Sequence, residues 1–226
     1  VSKVVSIGAP IELRVASKKA KRIYITDTEI NHLAHSLATP TDIIIPTHFI
    51  DSLAGSLMKK KSNFHRIDGL HGHIHLHPHM RPSSVSNPPK VMLRRLLGDG
   101  IHDSDEIEKI PENWLDGLNL SYADENEVKG NPWDLISKIS EMDGVITQSV
   151  TLASEAVLLG VPTLLVSKAK RGFLDRLVSE GYPLFIAKEN DDSILAAWLA
   201  GIHLTDALDE PDWPNAKSEL INLIKD

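Results

Sequence analysis

Short apolar runs alternate with amphipathic segments along the first third of this 226-residue chain. Residues 22–26 and 42–46 have the β-branched, mostly apolar character of strands, and residues 63–69 look like a third strand. Apolar positions recur at helical spacing over residues 28–38 and around residues 49–59, which predicts two helices between those strands. Strands that are apolar on both faces and alternate with helices indicate a parallel sheet. This first part, with about three strands, is smaller than a free-standing domain of its class.

The stretch from residue 81 to residue 89 separates this region from a second alternating series. Pro82, Pro88 and Pro89 stand there among serine and asparagine residues, and such a composition continues neither a helix nor a central strand. Beyond it, the pattern predicts strands at residues 90–96, 117–122, 143–147, 161–167 and 184–187, and helices at residues 131–142, 151–159, 171–181, 192–200 and 214–224. We therefore predict a partial N-terminal Rossmann-like lobe at 1–80, a linker at 81–89 and a complete, doubly wound Rossmann-like lobe at 90–226.

The composition narrows the classes of function. The formal net charge is −7 and the acidic residues are spread along the chain, so we expect no nucleic-acid partner. The chain has no cysteine, which excludes disulfides, thiolate metal ligands and cysteine nucleophiles. We find no signal-peptide pattern and no apolar run long enough to span a bilayer, and therefore expect a cytoplasmic protein without a transmembrane segment.

Residues 143–162 contain the pattern most closely tied to chemistry. An apolar strand ends at Thr147, a polar turn follows, and a helix is predicted to start near Thr151. In an open parallel sheet, ligands bind at the carboxyl ends of strands, where backbone amides and the positive end of a helix attract anions. Hydroxyl groups of Ser149 and Thr151 suit phosphate oxygens, and the carboxylate of Glu155, one turn further along, suits a ribose diol. The alternative is that Ser149 or Thr151 only caps the helix and that Glu155 is solvated.

This segment resembles a sequence element of the non-hydrolysing UDP-N-acetylglucosamine 2-epimerases and of related GT-B glycosyltransferases. The residues in register with that element are Ser149, Glu155, Gly160 and Pro162. The resemblance implies that backbone amides from Ser149 onwards hold a nucleotide diphosphate and that Glu155 holds the ribose. Val150 and Thr151 replace the glycine pair of the element, and their side chains limit how closely the backbone approaches a phosphate.

Four further motifs resemble the family called domain of unknown function 354, which is itself GT-B-like. They are Asp27-Thr28-Glu29, Gly69-x-His71 with His77-Pro78, Arg94, and His102-Asp103. Together with the Glu155 segment, they cover nearly the whole chain in order and spacing. The resemblance implies a two-lobed, GT-B-like α/β fold with parallel, doubly wound sheets. It also implies further βα units before Val1, so we expect the N-terminal lobe to be incomplete.

Five histidines alternate with other residues just before the linker. They are His71, His73, His75, His77 and His79. An extended conformation would point all five to one side, where neutral imidazoles bind transition metals in vitro. A closed zinc site takes its ligands from separate elements, so we predict no physiological metal site here. We expect His71 to contact the substrate instead, and a general-base role is open to it.

A second histidine motif follows the first strand of the second lobe. There, an imidazole of His102 oriented by Asp103 would suit proton transfer, whereas the acidic neighbours of this motif also fit a solvated surface loop. The candidate catalytic residues are thus His71, His102, Asp103 and Glu29. The candidate nucleotide-binding residues are Arg94, Ser149, Val150, Thr151 and Glu155.

Together these features lead to a GT-B-like glycosyltransferase that binds a nucleotide-activated sugar, with a UDP-sugar as the first choice. The acceptor and the sugar are not specified by the sequence. A UDP-sugar 2-epimerase is the alternative activity within the same fold. A non-catalytic binding or regulatory domain is a third hypothesis, which Val150 and Thr151 in place of the glycine pair favour. We expect no cofactor beyond the nucleotide-sugar substrate.

Overall fold

A computed structural model describes residues 1–69, 71–77, 84–97, 106–123, 134–188, 191–204 and 212–225. The chain divides into two compact units. Unit 1 comprises Val1–His75, Arg171–Phe173 and Trp213–Asp226, and unit 2 comprises Leu76–Lys170 and Leu174–Asp212. This division differs from the predicted continuous lobes, because the chain returns to unit 1 twice after the predicted linker.

Each unit is built on one parallel sheet. In unit 1 the strands are β1 (Lys3–Ile7), β2 (Lys21–Ile25), β3 (Asp42–Pro46) and β4 (Asn63–Ile67), and they lie in the order β1-β2-β3-β4. In unit 2 they are β5 (Lys90–Arg94), β6 (Asn119–Tyr122), β7 (Gly144–Thr147), β8 (Thr163–Val166) and β9 (Leu184–Ala187), in the order β6-β5-β7-β8-β9. Every pairing of neighbours is parallel. The predicted α/β class with parallel sheets is confirmed, and two such units agree with the predicted GT-B-like class.

Helices connect most of these strands. They are α1 (Ile11–Val15), α2 (His32–Leu37), α3 (His71–His75), α4 (Asp134–Ser140), α5 (Val150–Leu158), α6 (Gly172–Ser179), α7 (Asp192–His203) and α8 (Ala216–Lys225). Short 3-10 turns lie at Asp51–Leu53, Leu57–Lys59 and Glu112–Leu115. Across the described ranges, none of the helices combines the length and the apolar character needed to cross a membrane.

The sheet of unit 1 buries apolar side chains on both faces. Ile43 and Ile45 of β3 pack into one cluster with Leu13 and Tyr24, whereas Ile44 belongs to the opposite cluster. This division follows from the alternation of side chains along a strand. The opposite cluster includes Leu220 of α8. The last helix of the chain therefore covers a face of the first sheet, although the sequence pattern had placed it in the second lobe.

Three local features of unit 1 differ from the prediction. β1 was not predicted, because Val5 and Ile7 are exposed and the strand lacks a run buried on both faces. The helix predicted at 49–59 is two 3-10 turns, separated by Gly55 with a φ of +56°, which ends a regular helix. Helix α2 begins at His32 and not near Thr28, where the amide of Thr28 donates to Thr26 Oγ1 at 3.3 Å and the Glu29 carboxylate accepts from the amide of Ile50.

Unit 2 has the doubly wound arrangement that the sequence predicts. The buried residues of its core come from β5, β7, β8 and β9, from the region of the turn Glu112–Leu115 and from α7. Trp198 of α7 donates from Nε1 to the carbonyl of Pro162 at 3.0 Å. Helix α7 packs closely on β7, because a Cβ added at Gly144 would lie 2.8 Å from atoms of Trp198 and Ile202. Glycine at the start of β7 therefore allows the helix to approach the sheet.

Candidate functional site

The strand order of unit 2 creates a topological switch point. The chain begins in the sheet interior with β5, continues outwards to β6, and then returns to the other side of β5 to form β7. Arg94, the last residue of β5, is paired in register with Thr147, the last residue of β7. In doubly wound sheets, the crevice outside the carboxyl ends of two such strands is where ligands bind. The turn after Thr147 lies at this position.

A serine-capped helix begins directly at the switch point. The amide of Ser149 donates to Thr147 Oγ1 at 2.9 Å, and Ser149 Oγ accepts from the amide of Leu152 at 3.3 Å. Ser149 is therefore the N-cap of α5, as in the capping interpretation, and its own amide already has an acceptor. The amides of Val150 and Thr151 open the helix and have no carbonyl four residues earlier within it. They are the amides that an anion at this turn would meet.

One face of α5 carries the polar candidates. Leu152, Ala153 and Ala156 are buried in unit 2, whereas Thr151 is exposed and Glu155 is half-buried. Residues four apart on a helix are neighbours on its surface. A ligand that meets Thr151 at the first turn would therefore find the carboxylate of Glu155 one turn further along the same face.

Two arginines follow one another at the end of β5. Arg95 pairs with Glu112, with 3.2 Å between Nη2 and Oε1, and lies just beyond the end of the strand. Arg94 is half-buried and ends the strand at the switch point. Of the two, Arg94 is thus the one whose backbone position fits the predicted role near phosphates.

A glutamine that the sequence analysis did not select also lies at this edge. Gln148 is 8% exposed, and its Oε1 accepts from the amide of Leu96 at 2.8 Å. Its Nε2 donates to the carbonyl of Glu108 at 2.7 Å. The sequence offers only a weak signal for this role: Gln148 is the single glutamine of the chain, placed next to the end of a buried strand.

Unit 1 contains an aspartate–histidine pair. Asp27, just after β2, accepts from His71 at the start of α3, with 2.7 Å between Oδ2 and Nδ1. The other oxygen of Asp27, Oδ1, accepts from Thr28 Oγ1 at 3.2 Å. The strand β3 lies between β2 and β4 in the sheet, so the pair joins chain segments from both sides of β3. His71 was predicted as a catalytic residue, and Asp27 belongs to the motif that contains Glu29.

The electrostatics of this pair favour a charged carboxylate. Burial alone would raise the pKa of Asp27, but the hydrogen bond and the charge of His71, together with hydrogen bonds from Thr28 and the backbone, outweigh it, and the pKa is lowered. With Nδ1 donating to Asp27, a neutral His71 ring has its proton-accepting lone pair on Nε2. The geometry thus fixes the tautomer that a general base requires.

The alternating histidines are not extended. His71, His73 and His75 belong to α3, so they do not point to one side as predicted. His75 donates from Nδ1 to the carbonyl of His71 at 2.9 Å, and the two rings stack with centroids 5.6 Å apart. His73 is buried with its ring edge-on to Trp213, 4.7 Å between centroids. His77 is exposed, and His79 lies outside the described residues.

Glu29, a third candidate catalytic residue, is fully buried in unit 1. Its Oε1 accepts from the amides of Gly172 and Ile50, at 2.9 Å and 3.2 Å. These two amides begin α6 and precede the 3-10 turn Asp51–Leu53, so the carboxylate caps two turns at once. A side chain held in this way stabilises the backbone, and its predicted catalytic role is not supported by any exposed surface.

Two predictions remain: the catalytic role of His102 and Asp103, and the absence of a metal site. His102 and Asp103 lie outside the described residues. Within the residues that are described, no group of three or more histidine, aspartate or glutamate side chains has the geometry to hold a metal ion.

No family model matches the chain, and no curated protein matches it, so the resemblance to the domain of unknown function 354 is not confirmed. Among solved structures, the chain is similar to the crystal structure of TarM, with 11% sequence identity and a TM-score of 0.47. The match covers 92% of this chain and 51% of TarM, so the chain spans about half the length of that protein. A similarity this low does not bear on substrate or activity.

Proposed function

We propose that this protein binds a nucleotide-activated sugar, a UDP-sugar first of all, and transfers the sugar to an acceptor hydroxyl. The observation that carries the proposal is the coincidence of two independent features in unit 2. The strand order reverses between β5 and β7. Helix α5, whose sequence resembles an element of enzymes that act on sugar nucleotides, begins after the end of β7. Strand order alone predicts a ligand crevice there, and the sequence element alone predicts a diphosphate.

In this proposal the diphosphate lies against the first turn of α5. The amides of Val150 and Thr151 and the positive end of the helix attract its oxygens, and Arg94 contributes a positive charge from the end of β5. Glu155 accepts hydrogen bonds from the ribose hydroxyls, because it lies one turn further along the Thr151 face. No cofactor is needed for this binding.

His71 is the proposed base of the transfer step. Its Nε2 takes the proton of the acceptor hydroxyl, whose oxygen becomes the nucleophile of the transfer. The Asp27 carboxylate stabilises the resulting imidazolium, since it accepts from Nδ1 at 2.7 Å. His102 and Asp103 stay candidates for the same step.

Calorimetry with UDP and with UDP-N-acetylglucosamine tests the binding proposal. We expect saturable binding that weakens at least about tenfold in Glu155→Ala, because a ribose hydrogen bond to a charged group is lost. Glu141→Ala is the matched control, since Glu141 is 68% exposed and precedes β7 at the opposite edge of the sheet. Absence of nucleotide binding by the unmodified protein would refute the proposal.

The second candidate function is that of a non-catalytic domain that still binds the nucleotide. Val150 and Thr151 occupy the positions of the glycine pair, and a half-buried Val150 keeps an anion further from the backbone than glycine does. A domain of this kind binds UDP yet releases no UDP from a UDP-sugar in the presence of acceptors. The epimerase alternative is distinguished by incubation with UDP-N-acetylglucosamine alone, in which an epimerase produces the mannosamine epimer.

A further inference from the structure

The side chain of Gln148 links backbone segments that are far apart in sequence. Leu96, which donates to its Oε1, is 52 residues away, and Glu108, which accepts from its Nε2, is 40 residues away. The backbone amide of Gln148 also donates to the carbonyl of Arg94 at 3.3 Å. One buried residue at the end of β7 thus bonds to the backbone on the carboxyl side of β5 and to the chain that leads into the turn Glu112–Leu115.

A neighbouring set of bonds extends this arrangement to β8. The carbonyl of Glu106 accepts from Ser167 Oγ at 2.9 Å and from the amide of Lys168 at 2.8 Å. Ile107 and Ser167 form an antiparallel bridge. The segment Glu106–Glu108 therefore lies along the carboxyl end of β8, and Gln148 joins it to the switch point between β5 and β7.

We propose that Gln148 is a positioning residue of the diphosphate site: its carboxamide holds the Arg94–Leu96 backbone at a fixed distance from the first turn of α5. The inference rests on the proposed function, because it names a residue that shapes the same site. Gln148 is not proposed to contact the ligand, since its carboxamide oxygen and nitrogen both bond to backbone groups.

The chemistry of the two bonds explains why a glutamine occupies this position. One partner is an N–H donor and the other a carbonyl acceptor, so the side chain has to accept and donate at once. An ionised carboxylate of the same shape would oppose the carbonyl of Glu108 and would add a negative charge beside an anion site. A hydrophobic side chain of similar length would leave two partly buried backbone groups without these partners.

Calorimetric titration with pyrophosphate and with UDP tests this role. We expect Gln148→Met to raise both dissociation constants about tenfold, because Arg94 and the helix amides lose their fixed spacing. Trp198→Phe is the matched control: it removes a buried side-chain bond to the carbonyl of Pro162, at the amino end of β8. It should lower the melting temperature as Gln148→Met does, while leaving both dissociation constants unchanged.

Gln148→Glu supplies a readout that a purely structural role would not change. A protonated carboxyl has one acceptor and one donor, like the carboxamide, so binding by this variant should recover towards that of the unmodified protein as the pH falls. Burial raises the pKa of an introduced carboxyl, which brings this recovery into the range of about pH 5–7. The ratio of the two proteins' dissociation constants, measured at each pH, removes the effect of phosphate protonation.

The single glutamine also permits a test without substitution. Protein labelled with 15N at the glutamine carboxamide should give one NH2 signal pair, which shifts saturably as pyrophosphate is added. Unchanged binding by Gln148→Met, or an NH2 pair that pyrophosphate does not shift, would overturn the positioning role and leave the proposed function standing. If the unmodified protein binds neither pyrophosphate nor UDP, both proposals fall.

Discussion

The buried imidazole of His35 should make unit 1 sensitive to mild acid. The ring is fully buried in α2 and lies edge-on to Tyr24, with centroids 6.1 Å apart. Burial lowers the pKa of His35 from 6.5 to about 4, against a smaller opposing contribution from the backbone of Ala54. In the folded protein the ring is therefore neutral at pH values at which the unfolded chain is already protonated.

The size of the effect follows from the two pKa values. Because the folded-state pKa lies below that of the unfolded chain, protonation favours unfolding. The contribution of His35 to stability is complete above pH 6.5 and is lost progressively as the pH falls from 6.5 towards 4. Between about pH 8 and about pH 5, the linkage relation gives a loss of about 2 kcal/mol in the free energy of unfolding.

Urea unfolding of the unmodified protein, His35→Phe and His77→Phe at these two pH values measures the loss. Phenylalanine keeps the edge-on contact with Tyr24 but cannot take up a proton, so His35→Phe should lose about 2 kcal/mol less than the unmodified protein on acidification. His77 is exposed, and its replacement should leave the pH dependence unchanged. An equal loss of stability in His35→Phe and in the unmodified protein would show that His35 is not held neutral.

Three further substitutions have defined outcomes. Gly172→Ala should lower the free energy of unfolding in urea by about 3 kcal/mol, because the added Cβ would lie 1.7 Å from the carbonyl oxygen of His48. Gly144→Ala should lower it by less, about 1–2 kcal/mol, because its Cβ meets only side chains of α7. The reverse order of these two losses would contradict the backbone clash. The Asp27 carboxylate stabilises the fold at pH values above its ordinary pKa, and this stabilisation is lost as the pH falls through its lowered pKa. Asp27→Asn should remove this pH-dependent stabilisation. In 15N imidazole spectra, the same variant should also reduce the fraction of the Nδ1-protonated tautomer of His71, and an unchanged tautomer ratio would count against the pair.

Elements that are determined by residues next to one another in the sequence could be predicted. The strand ending at Thr147 is a continuous apolar run, and Ser149 follows it at the position of a helix cap, so both the strand and the start of α5 were predicted within one residue. The segment at 49–59 was wrong as a helix, because Gly55 adopts a positive φ that hydrophobic spacing does not report. The prediction of an extended conformation for the alternating histidines was wrong as well. Alternation of polar residues does not require a strand, and the first three of these histidines lie in α3, a helix of five residues.

Features that depend on distant partners could not be predicted. Gln148 acquires its role from Leu96 and Glu108, and no local pattern specifies which backbone groups a single glutamine will meet. Asp27 and His71 were each selected through short motifs, yet their 2.7 Å contact depends on the order of strands in the sheet. In a parallel sheet, residues from well-separated segments meet at the carboxyl edge, so the sequence indicates the edge more readily than the pairs that form there.

The two carboxylates after β2 show how environment divides similar residues between different tasks. Asp27 and Glu29 are two positions apart, but Asp27 is about one-third exposed and bonds to an imidazole, whereas Glu29 is fully buried and bonds to two backbone amides. A group that exchanges protons with a substrate has to be accessible, and the side chains of Asp27 and His71 are each about one-third exposed. Glu29 lacks this accessibility, and its Oε1 accepts from the amides of Ile50 and Gly172. The same motif therefore contains a residue that fits the proposed proton transfer and, two positions later, a residue that is bonded to the backbone of two other segments.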